Sequence, residues 1–337
     1  MRGPERTVVW GAGAWGTALA LHLQRAGGSV ALWVYEEAQF ASMVECRENR
    51  DFLPGHLLPD SIRLFHDLRE APGDAAAWIS VSPAQATRAL WRQIGPRCAS
   101  GTLVISASKG IERETLLPVS ALIEEHLPLA AGPVVVLSGP SFAAGLAQGD
   151  PTAVVLASPD PSGAERAQRL LSHAPLRGYA STDRPGVELG GAVKNVIALA
   201  CGMASGLGFG PNTVAALITR GLREIVRLGV AMGADPHTFS GLSGVGDLVL
   251  TCTGGESRNR TVGYRLGRGE PLASILGSMK AVAEGVPTTR SVAELARRHG
   301  VEMPITFVVE RMLYEGLPPA QGVRELLARD LKHEMAD

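Results

Sequence analysis

The chain has little excess charge and little cysteine. Its 32 lysines and arginines oppose 33 aspartates and glutamates, a formal net charge of -1, so no global field draws it to nucleic acid or to an anionic membrane surface. Any basic site must therefore be local. The four cysteines, Cys46, Cys98, Cys201 and Cys252, lie far apart and form no Cys-x-x-Cys pair. That argues against a disulfide framework or a zinc site, predicts no metal, and fits a reduced cytoplasm. A secretory core is missing as well, because the first apolar strand follows Arg2 within a few residues and is too short to serve as one. Long apolar runs are also scarce. Val196 to Gly210 comes nearest to a membrane span, but it is broken by glycines, falls short of the ~20 residues a span needs, and follows directly on Lys194 and Asn195. It reads as a buried helix of a soluble protein. No tandem repeat or low-complexity tail is present.

What is abundant is glycine, placed where chemistry would use it. The stretch Val8-Val9-Trp10-Gly11-Ala12-Gly13-Ala14-Trp15-Gly16 runs an apolar strand into a Gly-x-Gly-x-x-Gly turn, and the helical pattern Leu19, Leu23 follows. In such a turn Gly11 permits the tight bend, Gly13 lets the backbone approach a pyrophosphate, and Gly16 lets helix and strand pack closely, while the helix N-terminus offers free N–H groups to the anion. A second strand, Val30 to Val34, leads to Glu36, about 20 positions past the glycines, where a carboxylate meets the ribose hydroxyls of an adenosine. Strand, turn, helix and acid together predict a dinucleotide site.

At 337 residues the chain exceeds the size at which one core usually stops growing, which predicts two domains. Up to about residue 180, short apolar runs alternate with helical stretches: Val30 to Val34, Ala77 to Val81, Leu103 to Ser106, Val134 to Ser138 and Thr152 to Ala157. This predicts an α/β domain with a mainly parallel sheet covered on both faces. Loops Ser80 to Pro83, Ser106 to Gly110 and Ser138 to Ser141 should rim one cleft at the carboxyl ends of the strands. From Val187 the chain reads as helices: Ala192 to Met203, Thr213 to Met232, Val262 to Leu266, Ser291 to Arg298, Ile305 to Tyr314 and Val323 to Leu327. The glycines of Gly202 to Gly210 should interrupt that run. The boundary falls near Thr182 to Pro185, giving domains 1–183 and 184–337.

Three polar positions in the second domain stand out. Lys194 lies among small and apolar residues, either as a lysine whose stem covers apolar surface while its amine reaches water or as an amine held in a cleft for proton transfer. Asp247 follows the glycine turn Ser243-Gly244-Val245-Gly246 and begins an apolar run, as a helix N-cap or as a site carboxylate. Close behind, Gly254-Gly255-Glu256-Ser257-Arg258-Asn259-Arg260 is a solvated turn or a phosphate clamp, for which arginine offers a two-pronged donor and Ser257 and Asn259 add others.

Taken together, Gly-Ala-Gly-Ala-Trp-Gly at 11 to 16, Phe52-Leu53-Pro54-Gly55, Ser108-Lys109-Gly110, Ser138-Gly139-Pro140-Ser141-Phe142-Ala143, Gly190-Gly191-Ala192-Val193-Lys194-Asn195, Gly206-Leu207-Gly208-Phe209-Gly210, Gly246-Asp247-Leu248, Thr251-Cys252-Thr253 and Ser257-Arg258-Asn259-Arg260 resemble the NAD(P)-dependent glycerol-3-phosphate dehydrogenases. The resemblance spans nearly the whole chain, and the order and spacing of the segments make it specific. It implies a doubly wound N-terminal Rossmann domain joined to a C-terminal all-α domain, working as a homodimer, with dihydroxyacetone phosphate bound between the domains and reduced to sn-glycerol 3-phosphate. Lys194 matches the lysine that protonates the carbonyl oxygen, Lys109 a second substrate-contacting lysine, and Asp247 a carboxylate holding lysine charge in place. Gly139, Ser141, Thr251, Ser257, Arg258 and Asn259 match substrate contacts. Gly11, Gly13, Ala14, Trp15, Gly16, Tyr35, Glu36, Lys109, Ala143, Arg258, Val282 and Glu284 fall where the family meets NAD(P).

One segment departs from the bacterial pattern, in which a glycine and then a histidine or arginine often end the second strand. Here Trp33-Val34-Tyr35-Glu36-Glu37 stands instead, and a carboxylate would repel the 2'-phosphate of NADPH. NADH is therefore expected to be used at least as efficiently as NADPH. The competing readings are a two-domain hydroxyacid or sugar-acid oxidoreductase, which has no use for the Arg258 clamp, and a dinucleotide sensor or methyltransferase, which has none for Lys109, Lys194 and Asp247.

Overall fold

The structure is a computed structural model and describes residues 6–128, 131–330 and 333–334. Eight strands form one sheet: β1 (Arg6–Trp10), β2 (Ser29–Trp33), β3 (Arg63–Phe65), β4 (Ala77–Ser80), β5 (Leu103–Ser106), β6 (Val135–Ser138), β7 (Thr152–Ala157) and β8 (Leu176–Ser181). Their order is β3-β2-β1-β4-β5-β6-β7-β8, parallel throughout except where β7 runs antiparallel to β6. The central strands β4, β5 and β6 are buried at every residue, which is why they read as unbroken apolar runs and not as alternating ones. Six helices cover the sheet: α1 (Ala14–Arg25), α2 (Glu37–Cys46), α3 (Ala84–Ile94), α4 (Val119–Glu124), α5 (Ala143–Gln148) and α6 (Pro161–Leu171). One face carries an aromatic layer in which Trp10 meets Trp33, Phe65 and Trp78 with ring centroids 5.1 to 6.0 Å apart.

Among the described residues helices alone follow: α7 (Arg184–Gly206), α8 (Pro211–Ala231), α9 (Asp247–Thr253), α10 (Arg258–Gly267), α11 (Leu272–Gly277), α12 (Gly285–His299), α13 (Pro304–Tyr314) and α14 (Pro319–Leu327). Asp183 caps α7, its carboxylate accepting from Gly186 N at 3.1 Å, with Pro185 in the first turn. The other helices wrap α7, which is long and apolar enough to cross a membrane but buried along its whole apolar window.

The expected break at Gly202 to Gly210 is corrected in position. α7 passes through Gly202 and ends at Gly206. Gly202 serves contact rather than termination, because a methyl group there would collide with the carbonyl of Arg260 on α10. β3 and α11 are too brief to register in the hydrophobic pattern, and β8, Leu-Arg-Gly-Tyr-Ala-Ser, carries too few apolar residues to do so.

Candidate active site

The three strand-end loops meet as expected. Ala107 N donates to Ser80 O at 2.8 Å, Ser108 Oγ to Ser82 O at 2.6 Å, and Lys109 Nζ to Gly139 O at 3.2 Å. Gly139 has φ +143°, and a side chain there would press on the backbone of Ala153 and Val154 at 3.0 Å, so the bend that turns its carbonyl toward Lys109 requires glycine. Ser141 Oγ donates to the same carbonyl at 2.9 Å.

Lys194 emerges from the middle of α7 into this cleft. It is buried, so the helix-end lysine reaching water is excluded. Its Nζ donates to Thr251 Oγ1 at 2.7 Å and is paired with Asp247 Oδ1, while Lys109 Nζ donates to Asp247 Oδ2 at 2.6 Å. One carboxylate thus bridges two ammonium groups. Asp247 is the first residue of α9 and its side chain caps nothing there. A sharp turn centred on Gly244, where a side chain would strike the backbone of Phe239, delivers it to α7. Burial pushes the pKa of Lys194 down to about 7; the charge of Asp247 opposes this and that of Lys109 adds to it.

The Ser257-Arg258-Asn259 segment opens α10, which four residues separate from the end of α9. Ser257 is its N-cap, accepting from Arg260 N at 3.2 Å. Arg258 makes no hydrogen bond or ion pair among the described residues, although its position near Glu284 lets each feel the other's charge. Asn259 is more committed than expected. It donates to Asn195 Oδ1 at 2.9 Å and accepts from Gly285 N at 2.8 Å, which leaves one amide hydrogen for a ligand. Asn195, next to Lys194, is therefore a contributor that in the sequence stands only as the last residue of Gly190-Gly191-Ala192-Val193-Lys194-Asn195.

At the glycine turn the fit to a dinucleotide can be tested atom by atom. Gly11 has φ +128°, and a side chain at Gly16 would collide with the Gly11 carbonyl, whereas one at Gly13 would meet nothing within 4 Å. Gly11 and Gly16 make the turn, and Gly13 keeps its mouth open. The N–H groups of Gly13, Ala14 and Trp15 donate to no protein acceptor among the described residues. Across the cleft, Ala143 starts α5, Val282 is exposed, and Glu284 accepts from Ala84 N at 3.1 Å through Oε1 while Oε2 is buried without a partner, as is the indole Nε1 of Trp15. Burial raises the pKa of Glu284 to about 7 against the opposing Ala84 N–H and Arg258 charge. Open cradle, free N–H groups and orphaned polar atoms fit a large polar cofactor. Tyr35 and Glu36 are exposed at the end of β2. Among the described residues no group of His, Cys, Asp and Glu is arranged to hold a metal.

Residues 6–164 match the family model for the NAD-dependent glycerol-3-phosphate dehydrogenase N-terminus, and residues 183–324 match that for its C-terminus. The chain belongs to this family. It is 51% identical over 331 residues to a glycerol-3-phosphate dehydrogenase (NAD(P)+) of Geobacter sulfurreducens, covering 98% of this chain and 99% of that one. Its fold matches the crystal structure of a glycerol-3-phosphate dehydrogenase from Coxiella burnetii with TM-score 0.93 at 38% identity, over 97% of this chain and all of that one. A glycerol-3-phosphate dehydrogenase from Saccharomyces cerevisiae follows with TM-score 0.81 at 26% identity, covering 97% of this chain and 100% of the yeast chain.

Proposed function

We propose that this dehydrogenase reduces dihydroxyacetone phosphate to sn-glycerol 3-phosphate, and oxidises it in reverse, with Lys194 as the proton-transferring group. The observation that carries this is Asp247 bridging Lys109 and Lys194, with the unpaired Arg258 brought to the same turn of α7 by the bond from Asn259 to Asn195. Bound NAD(P)H supplies the hydride. As the carbonyl carbon accepts it, the developing alkoxide takes a proton from Lys194 Nζ. In reverse the neutral amine removes that proton. Lys109, Gly139 and Ser141 line the carbonyl end, and Asp247 with Thr251 orients the Lys194 amine. Ser257, Arg258 and Asn259 receive the phosphate at the start of α10, where the helix dipole adds to the arginine charge. Product serves as a glycerophospholipid precursor.

Domain 1–183 would hold the cofactor, with Gly11, Gly13, Ala14, Trp15 and Gly16 for the pyrophosphate, Tyr35 and Glu36 for the adenosine, and Lys109, Ala143, Arg258, Val282 and Glu284 for the other half. Residues 184–337 form the catalytic domain. NADH serves at least as well as NADPH. Arg47 is spent on Leu58 O, Pro59 O, Ile62 O and Asp60, Arg25 on Ala147 O and Arg50 on Glu48, while Arg2 lies outside the described residues. None of these described arginines is left to receive a 2'-phosphate beside Glu36. The active form is a cytoplasmic homodimer, a reading that rests on the family.

The deciding experiment follows NADH and NADPH oxidation with dihydroxyacetone phosphate and with unphosphorylated dihydroxyacetone. The expected outcome is turnover of the phosphorylated ketone by at least a hundredfold in kcat/KM. Comparable efficiency with both ketones would overturn the phosphate clamp.

A further inference from the structure

The glycine turn is held from behind by two side chains that no motif marks. Asn49 lies in the loop after α2 and is wholly buried. Its Nδ2 donates to Ala12 O at 2.9 Å and to Thr17 Oγ1 at 2.8 Å; its Oδ1 accepts from Phe52 N and from Gln39 Nε2, both at 3.3 Å. Gln39 Nε2, from α2, also donates to Ala12 O, at 2.7 Å. One backbone carbonyl thus receives two amide donors from outside the turn. The loop that carries Asn49 is fixed in its own right, with Leu53 N donating to Asn49 O at 2.8 Å and Gly55 N to Glu48 Oε1 at 2.8 Å. This gives the Phe52-Leu53-Pro54-Gly55 segment, which has no place in the reaction, a structural purpose.

The consequence follows from peptide geometry. In a trans peptide the carbonyl of one residue and the N–H of the next point in opposite directions. Pinning the Ala12 carbonyl inward therefore turns the Gly13 N–H outward, to the open side of the turn where it donates to nothing in the protein. Gly13, on the other side of this peptide, has no side chain to limit its rotation. We propose that Asn49 and Gln39 are positioning residues for the dinucleotide pyrophosphate, acting through the Ala12 carbonyl to set the orientation of the Gly13 N–H before the cofactor arrives. The proposal rests on the reading of the glycine turn as the cofactor site.

The test measures NADH binding to the full-length protein by quenching of tryptophan fluorescence, with kcat, the KM values and the unliganded Tm recorded beside it. Asn49→Leu removes the bonds a buried side chain donates to Ala12 O and Thr17 Oγ1, and Gln39→Met removes those a half-buried one donates to Ala12 O and Asn49 Oδ1. The expected result is a Kd for NADH raised about tenfold or more in Asn49→Leu and about threefold or more in Gln39→Met, with KM for dihydroxyacetone phosphate and kcat at saturating NADH within twofold of the parent. If Asn49→Leu fails to fold, Gln39→Met decides. A folded Gln39→Met whose Kd for NADH stays within twofold of the parent would overturn the inference. So would losses of kcat and of both affinities in equal proportion, which a general loosening of the fold produces. Failure of the parent protein itself to bind NADH would overturn the cofactor reading underneath it.

Discussion

Asp247→Asn probes the centre of the site, because it keeps the shape of the side chain and removes the one negative charge shared by Lys109 and Lys194. Two unit charges about 4 Å apart attract by about 4 kcal/mol at an effective dielectric constant of ~20. At 1.36 kcal/mol per tenfold, losing that attraction lowers the protonated fraction of Lys194 by a factor of about a thousand. Its pKa already stands at about 7 because burial disfavours the ammonium, so the parent enzyme is poised near half protonation at neutrality and the variant is almost wholly neutral there. Reduction needs the ammonium, and its kcat/KM at pH 7 should fall by about two to three orders of magnitude. In the parent, reductive kcat/KM declines as pH rises through about 7, while the oxidative direction, which needs the free amine, gains over the same interval. In the variant the reductive decline moves to lower pH. Affinity for NADH should fall far less than reductive kcat/KM, since among the described residues the Asp247 side chain bonds Lys109, Lys194 and Thr251, and of these Lys109 alone also faces the cofactor. A variant with more than about a tenth of parental reductive efficiency at pH 7, or with a pH profile that superimposes on the parent after scaling, would refute the reasoning.

Four further substitutions separate the roles. Lys194→Ala should lower turnover by about a hundredfold or more while NADH still binds, with circular dichroism confirming the fold; a tenth of parental turnover would remove Lys194 from proton transfer. Arg258→Lys should chiefly raise KM for dihydroxyacetone phosphate, because lysine keeps the charge but loses the fork, and an equal loss for the unphosphorylated ketone would speak against a phosphate contact. Glu36→Ala should shift the ratio of catalytic efficiencies toward NADPH; a strong NADPH preference in the parent, unaltered by the change, would mean that Glu36 does not read the ribose. Gly263→Ala should lower Tm by several degrees, since a methyl there collides with the Leu199 carbonyl and overpacking costs about 1 to 3 kcal/mol, whereas an unchanged or raised Tm would show helix propensity winning.

The parts of this molecule visible in its sequence are those whose physics is local. Gly11 follows from its positive φ, Gly16 from close approach to the Gly11 carbonyl within the same turn, and the buried strands from their unbroken apolar runs. Lys194 was conspicuous because its neighbours are small, but its pairing was not: Asp247 stands 53 residues away and Lys109 reaches it across 138. Local pattern left lysine and carboxylate each with a bland alternative, and only the tertiary contact excludes them. Asn49 shows the opposite limit. Nothing in its surroundings departs from an ordinary polar loop, and its importance arises wholly from the carbonyl it meets 37 residues earlier.

The glycines of α7 and α10 join these two levels. Asn195 bonds Asn259 at an offset of 64 residues, and the same offset sets Leu199 against Gly263 and Met203 against Gly267, where a methyl group on either glycine would collide with the opposing carbonyl. Gly202 and Gly206 return the contact from α7, against the carbonyls of Arg260 and Tyr264. The two helices therefore run side by side in one fixed register, closer than side chains on both would allow. That register brings the first turn of α10, with the unpaired Arg258, beside the turn of α7 that carries Lys194. Arg258, proposed for the phosphate, and Lys194, proposed for proton transfer, are thus held at one distance by backbone contact, independent of any loop. Since the sequence spacing of four between glycines is also what a helix breaker in a flexible linker would show, the distinction between interruption and close packing lay in the partner helix and not in the glycines themselves.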